Sequence, residues 1–382
     1  MNIPFSSFSP IALALTAAIS LAACGGSSGG DGNDTLEPPT GFDFDASLLI
    51  DNLTDDVIVA GYQQLAAGME ALHLAADNLR NDPTQANLVA AQDAWKAARR
   101  YWEQGEAHIF GPIDALSIDP HLDSWPLNTT DLQAQLATND SFDADSIKTW
   151  NDDVQGFHTM EFLLFGDGIA DNDKAIEAMS GAELAYLVAL AQVAVDYSGE
   201  LEQAWTVSYN GGEAYGAALK DSGNAYYGSD LAVIEELVQG LIGIVDEVGN
   251  GKIADPFGAS LAQADTSLVE SQYSWNSLQD FSDNIVGVQN IYRGELSGAS
   301  DKVGLNDWVR AGDEALADRL DAEIQTAIDA ILAIGGTQAL PFRQAILDQQ
   351  GRVRVQSAVD ALAALQTRLE SEVIPLLSDW NN

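Results

Sequence analysis

The stretch Gly156-Phe157-His158-Thr159-Met160-Glu161-Phe162-Leu163-Leu164-Phe165-Gly166 is almost wholly apolar, yet it carries a histidine and a glutamate three positions apart. Residues at i and i+3 share one face of a helix, so His158 and Glu161 can converge on one point. A charged side chain is rarely buried without a partner. The stretch therefore predicts a buried helix with a polar site built into it.

Helical periodicity continues through the chain from about residue 46. Apolar residues recur at intervals of three and four, and the alternation typical of strands is scarce. Asp82-Pro83 and Gly335-Gly336 interrupt the pattern as helix stops. Eight long helices are predicted, at residues 55–81, 84–108, 146–165, 181–209, 229–247, 261–293, 307–334 and 342–377. The pattern predicts an all-α fold of two antiparallel four-helix bundles, at residues 46–215 and 216–382.

The N-terminus has the features of an exported lipoprotein. Residues 11–23 are apolar but too short to span a bilayer, and they end in Leu21-Ala22-Ala23-Cys24, which resembles the bacterial lipobox. We therefore predict a signal peptide at residues 1–23, lipidation of Cys24, and a Gly/Ser/Asp-rich tether at residues 24–45. Gly25 after the cysteine favours the outer membrane, so the predicted location is the cell envelope, with the chain facing the periplasm or the cell surface.

Composition restricts the partners and the metal ligands. The chain has 16 Lys+Arg against 58 Asp+Glu, a formal net charge of −42, which repels nucleic acid and anionic lipid headgroups. An acidic surface of this kind also keeps a protein soluble in salty surroundings. Cys24 is the only cysteine, so any metal ligands in the mature domain must be histidine or carboxylate.

A second group of candidate ligands lies near the end of the second predicted helix. Glu103 and Glu106 repeat the i, i+3 spacing, and Asp114 follows shortly in the next loop. A carboxylate pair on one helix and a His/Glu pair on another resemble the geometry of carboxylate metal sites in helical bundles. The order His-x-x-Glu is the reverse of the usual Glu-x-x-His, so the comparison concerns geometry alone.

Three blocks together resemble the imelysin family, also called peptidase family M75 or the insulin-cleaving membrane peptidases. Gly156–Glu161 matches its G-x-H-x-x-E signature, Phe110–Asp114 with Trp125–Leu127 resembles a loop of its first domain, and Phe281–Tyr292 resembles its C-terminal block. The family includes iron-regulated lipoproteins and the periplasmic component of Efe-type iron uptake. The resemblance covers roughly residues 50–380 and implies two related helical bundles.

The resemblance carries ligand roles to His158 and Glu161 first, then to Glu106, and less directly to Glu103 and Asp114. It implies an envelope lipoprotein that binds iron or zinc for iron acquisition, with iron-uptake proteins as partners. The alternative is a metallopeptidase in which Glu161 is catalytic, although the chain lacks the His-Glu-x-x-His motif. A second alternative is a non-catalytic surface lipoprotein that binds a polymer or a protein.

Simpler interpretations of the same residues remain open. His158 and Glu161 can hydrogen-bond each other and fix the register of the bundle without a metal. The Arg99-Arg100 pair can neutralise Glu103 and Glu106 in place of a metal. A tyrosine-rich stretch between the bundles, with Tyr209, Tyr215, Tyr226 and Tyr227, favours packing between them over an exposed binding surface.

Overall fold

Helices make up most of the part of the chain that this computed structural model describes, which is residues 41–139, 141–296 and 302–381. No β-strand occurs in those ranges; a single parallel bridge joins Phe42 to Trp380. The predicted all-α fold is confirmed. The predicted signal peptide, Cys24 and most of the tether lie outside the described residues. The last tether residues contact the C-terminal end, where the indole of Trp380 donates to the Phe44 carbonyl.

Eight helices correspond to the eight predicted. They are α1 (Ala60–Asn81), α2 (Gln85–Gly105), α3 (Gly156–Phe165), α4 (Gly181–Thr206), α5 (Asp230–Asp246), α6 (Ser277–Arg293), α7 (Glu314–Leu332) and α8 (Gln349–Arg368). α1 packs on α2 and α4, and α3 packs on α2 and α4. α6 and α8 each pack on α5 and α7. α6 also packs on α2, which joins the two sets of helices, and the bundle boundary at residue 216 stays a prediction.

Side-chain caps explain where several of these helices begin. Thr84 accepts from the Asn87 amide at the start of α2, directly after the predicted Asp82-Pro83 stop. Ser180 and Glu183 form a reciprocal capping box at the start of α4. Each contact satisfies backbone donors that the first turn of a helix leaves unpaired, so these starts follow from local sequence.

Four predicted helices begin later than expected, and two of these differences matter for the site. The helices predicted at 307–334 and 342–377 are each interrupted near their start, so α7 begins at Glu314 and α8 at Gln349. The predicted helix at 146–165 is one long helix in the sequence pattern, but α3 begins only at Gly156, whose φ is +68°. The predicted helix at 261–293 begins at Ser277 as α6. Residues before it form two 3₁₀ turns and a loop in which Ser271 and Trp275 have positive φ.

Close packing of α6 against α2 depends on Gly287. A Cβ built at this position would lie 2.3 Å from the Gln104 carbonyl oxygen and 3.2 Å from Cβ of Ala107. Any larger residue would force the two helices apart. The approach brings Asn284, one turn earlier on the same face of α6, to the backbone and side chain of Glu103.

Candidate metal centre

His158 lies on α3 with its side chain 1 % exposed, and its two ring nitrogens have different surroundings. Nδ1 lies 3.0 Å from Glu161 Oε2 and is hydrogen-bonded to it. Nε2 is buried and forms no well-aligned hydrogen bond, and it lies 3.2 Å from the carboxylate of Asp123. Because the Glu161 contact orients the ring, Nε2 faces a fixed direction, as in histidines that bind metals.

Two carboxylates stand in front of Nε2. Asp123 Oδ1 lies 3.2 Å from it and Glu270 Oε1 lies 3.8 Å from it. One ligand atom from each of the three residues lies within 4.8 Å of the others. The Asp123 and Glu270 side chains are 6 % and 10 % exposed, so solvent reaches the group from their side and not from α3.

The Asp123 side of the group depends on Gly156. The short helix Ile118–Asp123 crosses the start of α3 so closely that a Cβ on Gly156 would lie 2.3 Å from the Leu122 carbonyl oxygen. Its positive φ also disfavours any residue with a side chain. The Trp102 indole donates to Asp123 Oδ2 over 2.6 Å and directs the other carboxylate oxygen toward His158. The glycine of the G-x-H-x-x-E signature therefore has a structural role, which is to leave room for the neighbouring helix that carries Asp123.

The Glu270 side is built by the loop that precedes α6. Ser277 Oγ donates to the Glu270 carbonyl over 2.6 Å and holds that residue against the start of α6. The same loop presents the Tyr273 and Ser274 amides to Glu161 Oε1 at 3.0 and 2.7 Å, and Ser274 Oγ donates to the same oxygen at 2.7 Å. Both oxygens of Glu161 are thus occupied by protein donors.

Arg99 is fully buried on α2 and pairs with four carboxylates. Its guanidinium contacts Glu103, Asp123 and Glu270, and its Nε lies 3.5 Å from Asp280. The Asp123 and Glu270 oxygens that it contacts are those that face His158. Each carboxylate oxygen has two lone pairs, so the arginine contact leaves one on Asp123 Oδ1, whereas Glu270 Oε1 also lies 3.4 Å from Lys252 Nζ.

Electrostatics within the group favour anionic carboxylates beside a positively charged imidazole. Burial opposes the charged form of Asp123, but Arg99 and His158 outweigh it and hold the pKa of Asp123 well below its usual range. Burial by itself lowers the pKa of His158. The carboxylates of Asp123 and Glu161 at its two nitrogens outweigh burial and raise the pKa to about 9. At neutral pH a metal ion would therefore replace a proton on Nε2.

Glu103 and Glu106 lie beside this group and share a different cation. Lys252 Nζ lies 2.8 Å from Glu106 Oε2 and 3.3 Å from Glu103 Oε2. Asn284 Nδ2 donates to the same two oxygens, each over 2.6 Å. Burial and the Glu103 carboxylate raise the pKa of Glu106 well above its usual range despite Lys252. One ammonium therefore neutralises this pair only incompletely.

The structure separates the five predicted ligands into different surroundings. His158 lies in the Asp123–His158–Glu270 group, and Glu161 contacts it from behind. Glu103 and Glu106 lie in the adjoining carboxylate pair. Asp114 lies on the short helix Pro112–Ala115 with its side chain exposed, outside the group. Cys24 lies outside the described residues.

The simpler interpretations are partly realised. His158 and Glu161 do hydrogen-bond each other, and Arg99 does pair with Glu103, whereas Arg100 is exposed and lies over the Tyr101 ring. Lys252, which no sequence pattern indicated, is the cation that pairs with Glu106. The tyrosines of the predicted boundary are buried except for Tyr226, in agreement with a packing role.

Sequence reasoning missed Asp123 and Glu270. Asp123 comes two residues before Trp125-Pro126-Leu127, a block that resembles the family loop, so that block was the available signal. The periodic pattern places Glu270 in the interior of a long helix. In a chain with 58 acidic residues, spacing alone does not distinguish a buried glutamate from a solvated one.

The three residues fit a metal ion. Donors of a tetrahedral ion at about 2.1 Å lie roughly 3.4 Å from one another, and the Nε2 distances of 3.2 and 3.8 Å match this spacing. The buried Nε2 would supply the nitrogen ligand, and the two carboxylates would supply oxygen. Three cations lie in the group, Arg99, Lys252 and the His158 imidazolium, and burial raises the pKa of Glu106 and of Asp280 well above the usual range. The six carboxylates around these cations are Glu103, Glu106, Asp123, Glu161, Glu270 and Asp280.

Fold and site together define an all-α protein with a buried histidine–carboxylate centre where its helices meet. The chain belongs to the imelysin family, whose Peptidase M75 model matches residues 58–369. It is 31 % identical over 330 residues to iron-regulated protein A of Synechococcus elongatus, an alignment that covers 86 % of each chain. The resemblance seen in the three sequence blocks is thereby confirmed.

Solved structures agree with this assignment. A protein from Parabacteroides distasonis described as an iron-regulated protein A precursor superposes with a TM-score of 0.75 at 29 % identity, covering 87 % of this chain and 94 % of its own. An imelysin-like protein from Psychrobacter arcticum superposes with a TM-score of 0.69 at 15 % identity, covering 88 % and 98 %, which shows the shared fold. None of the helices in the described ranges is both long and apolar enough to cross a membrane.

Proposed function

We propose that this chain is a metal-binding lipoprotein of the cell envelope that serves iron acquisition, with Asp123, His158 and Glu270 as the metal ligands. The observation that carries the proposal is the buried Nε2 of His158, which forms no well-aligned hydrogen bond and faces two carboxylate oxygens at 3.2 and 3.8 Å. A metal ion at this point would bind all three groups and take the place of the proton on Nε2.

Glu161 then acts through His158 and not on the metal. Its Oε2 accepts a hydrogen bond from Nδ1–H of His158. Its Oε1 accepts hydrogen bonds from two amides and a hydroxyl of the loop that carries Glu270. A carboxylate behind a ligating histidine fixes the ring and raises its basicity. This arrangement makes Glu161 a positioning residue that also ties α3 to the Glu270 loop.

Iron is the proposed cargo because the curated relative is an iron-regulated protein. One imidazole and two carboxylates form a hard donor set that suits Fe, Mn or Zn better than Cu(I). Three protein ligands leave coordination positions for water or for a small anion. An open, partly hydrated centre is compatible with loading and release of a transported ion.

The metallopeptidase alternative is disfavoured by the contacts of Glu161. A general base must direct a free lone pair at the attacking water. Both Glu161 oxygens instead accept from protein donors, and the residue is fully buried. The contacts suit a residue that orients His158 better than one that takes a proton from water.

Metal titrations of ligand variants test the proposal. We expect His158→Gln, Asp123→Asn and Glu270→Gln each to weaken binding of Fe²⁺ (titrated anaerobically) or Zn²⁺ by at least about 10- to 100-fold. His121→Gln is the matched control, because His121 lies on the same short helix as Asp123 and pairs with Asp152 outside the group. Metal content should be measured on protein purified without chelators or a nickel-binding tag. Unchanged affinity in Asp123→Asn and Glu270→Gln would contradict the assignment.

A further inference from the structure

Lys252 is a buried lysine enclosed by carboxylate oxygens on the side of the centre away from His158. Its side chain is 6 % exposed, and its Nζ lies 2.8 Å from Glu106, 3.3 Å from Glu103 and 3.4 Å from Glu270. An ammonium has three protons, and here each has one carboxylate oxygen to meet. The lysine therefore fills a three-oxygen cage.

The cage adjoins the proposed metal position through a shared atom. Glu270 Oε1 lies 3.4 Å from Lys252 Nζ and 3.8 Å from His158 Nε2. The same oxygen also contacts the Arg99 guanidinium, so it is shared by two cations and lies next to the imidazole. In two-metal carboxylate centres a bridging oxygen stands between two cations in this way.

Asn284 supplies an independent indication that the cage suits a metal ion. The residue is fully buried, and its amide nitrogen donates to both Glu103 and Glu106, yet its Oδ1 has no partner. Rotation of the amide by half a turn would place Oδ1 toward the cage. With Lys252 absent, two glutamates, a bridging glutamate and an amide oxygen form the oxygen set that hard divalent cations prefer.

We infer that Lys252 stands in for the second metal of a two-cation centre, so that the native chain takes one metal ion and supplies the other cation itself. The inference rests on the proposed metal site at His158. The position of Lys252 agrees with it, because the lysine lies on the π-helical segment Glu247–Ala254 that continues α5. Such widened turns occur often at functional sites.

The stoichiometry of Mn²⁺ binding to the full-length protein tests the inference. Wild type should bind one Mn²⁺ per chain in calorimetric titration, and Lys252→Met should bind two, because the cage is then vacant and its three carboxylates have lost the cation that they share. Lys174→Met is the matched control. Lys174 is also a nearly buried lysine, paired with Glu183 over 3.0 Å, but it lies outside the centre. Its loss should leave one Mn²⁺ per chain.

Thermal unfolding covers the case in which Lys252→Met folds poorly, since three buried carboxylates then repel one another with only the Arg99 contacts of Glu103 and Glu270 left to offset the repulsion. Mn²⁺ should then restore a cooperative transition in Lys252→Met, with a larger rise in Tm than in Lys174→Met. A folded Lys252→Met that binds one Mn²⁺, or an unfolded one that Mn²⁺ does not rescue, overturns the inference. If wild type binds none, the proposed function fails instead.

Discussion

At the residue scale, the buried histidines differ in what faces their nitrogens. His158 lies among carboxylates, which hold its ring positive in the absence of a metal. His108, at the end of the 3₁₀ turn that follows α2, lies against the Tyr62 ring, with Nδ1 3.0 Å from the tyrosine hydroxyl. Burial in these neutral surroundings lowers the pKa of His108 to about 4. The same residue type is thus a charged group in one place and a neutral packing group in the other.

A pH-dependent stability difference follows for His108. Below its ordinary pKa of 6.5 the unfolded chain binds a proton that the folded chain refuses until about pH 4, so acid favours unfolding. Lowering the pH from 7 to 5 should reduce the free energy of unfolding of wild type by about 2 kcal/mol more than it reduces that of His108→Gln. Urea denaturation of both proteins at the two pH values measures this difference. Equal losses in the two proteins would show that His108 does not stay neutral.

At the scale of elements, the site depends on where helices are interrupted. α3 begins at Gly156, ten residues later than predicted, and this late start lets the short helix Ile118–Asp123 cross its first turn. α6 begins at Ser277, which leaves the preceding loop free to bring Glu270 to His158 and two amides to Glu161. Long uninterrupted helices at these places would keep the three proposed ligands apart.

Gly156→Ala tests the role of this crossing. The added Cβ meets the Leu122 carbonyl in a positive-φ conformation, so we expect a loss of about 1–3 kcal/mol of stability and weaker metal binding through displacement of Asp123. Gly199→Ala is the control, because Gly199 lies within α4 with open space around it and should gain stability. Thermal unfolding and metal titration report the two effects. A Gly156→Ala protein with wild-type affinity would show that the crossing does not position Asp123.

At the scale of the whole molecule, net charge and the N-terminal segment determine how the protein would meet a membrane. A net charge of −42 repels anionic lipid headgroups, and the described helices include none that could span a bilayer. The proposed envelope location therefore depends on lipidation of Cys24. Phe42 pairs with the backbone beside Trp380, so the proposed tether would join the folded domain where its two ends meet.

Cys24→Ala tests the anchor in cells. Because the folded domain has no electrostatic attraction to the membrane, the variant should leave the membrane fraction almost completely, even at low ionic strength. Ser27→Ala, three residues along the proposed tether, should remain with the membranes. Fractionation of cells expressing each protein, with mass spectrometry of the N-terminal peptide, gives the result. A Cys24→Ala protein that stays membrane-bound would contradict the lipid anchor.

The sequence by itself determined the helical fold, the approximate position of the eight helices, the family and one proposed ligand, His158. These depend on local periodicity, caps and a short motif, all of which are properties of neighbouring residues. The N-cap at Thr84 and the capping box at Ser180 are examples in which a few adjacent side chains decide where a helix begins.

Only the tertiary structure decided which carboxylates meet His158. Asp123 and Glu270 are separated from it by 35 and 112 positions in the sequence, and each arrives through a helix break that the periodic pattern does not show. Glu161, a predicted ligand, faces backbone amides of the Glu270 loop. Lys252 pairs with Glu106, which was also a predicted metal ligand. Contacts of this kind arise from packing of distant elements, so neither spacing nor composition can specify them.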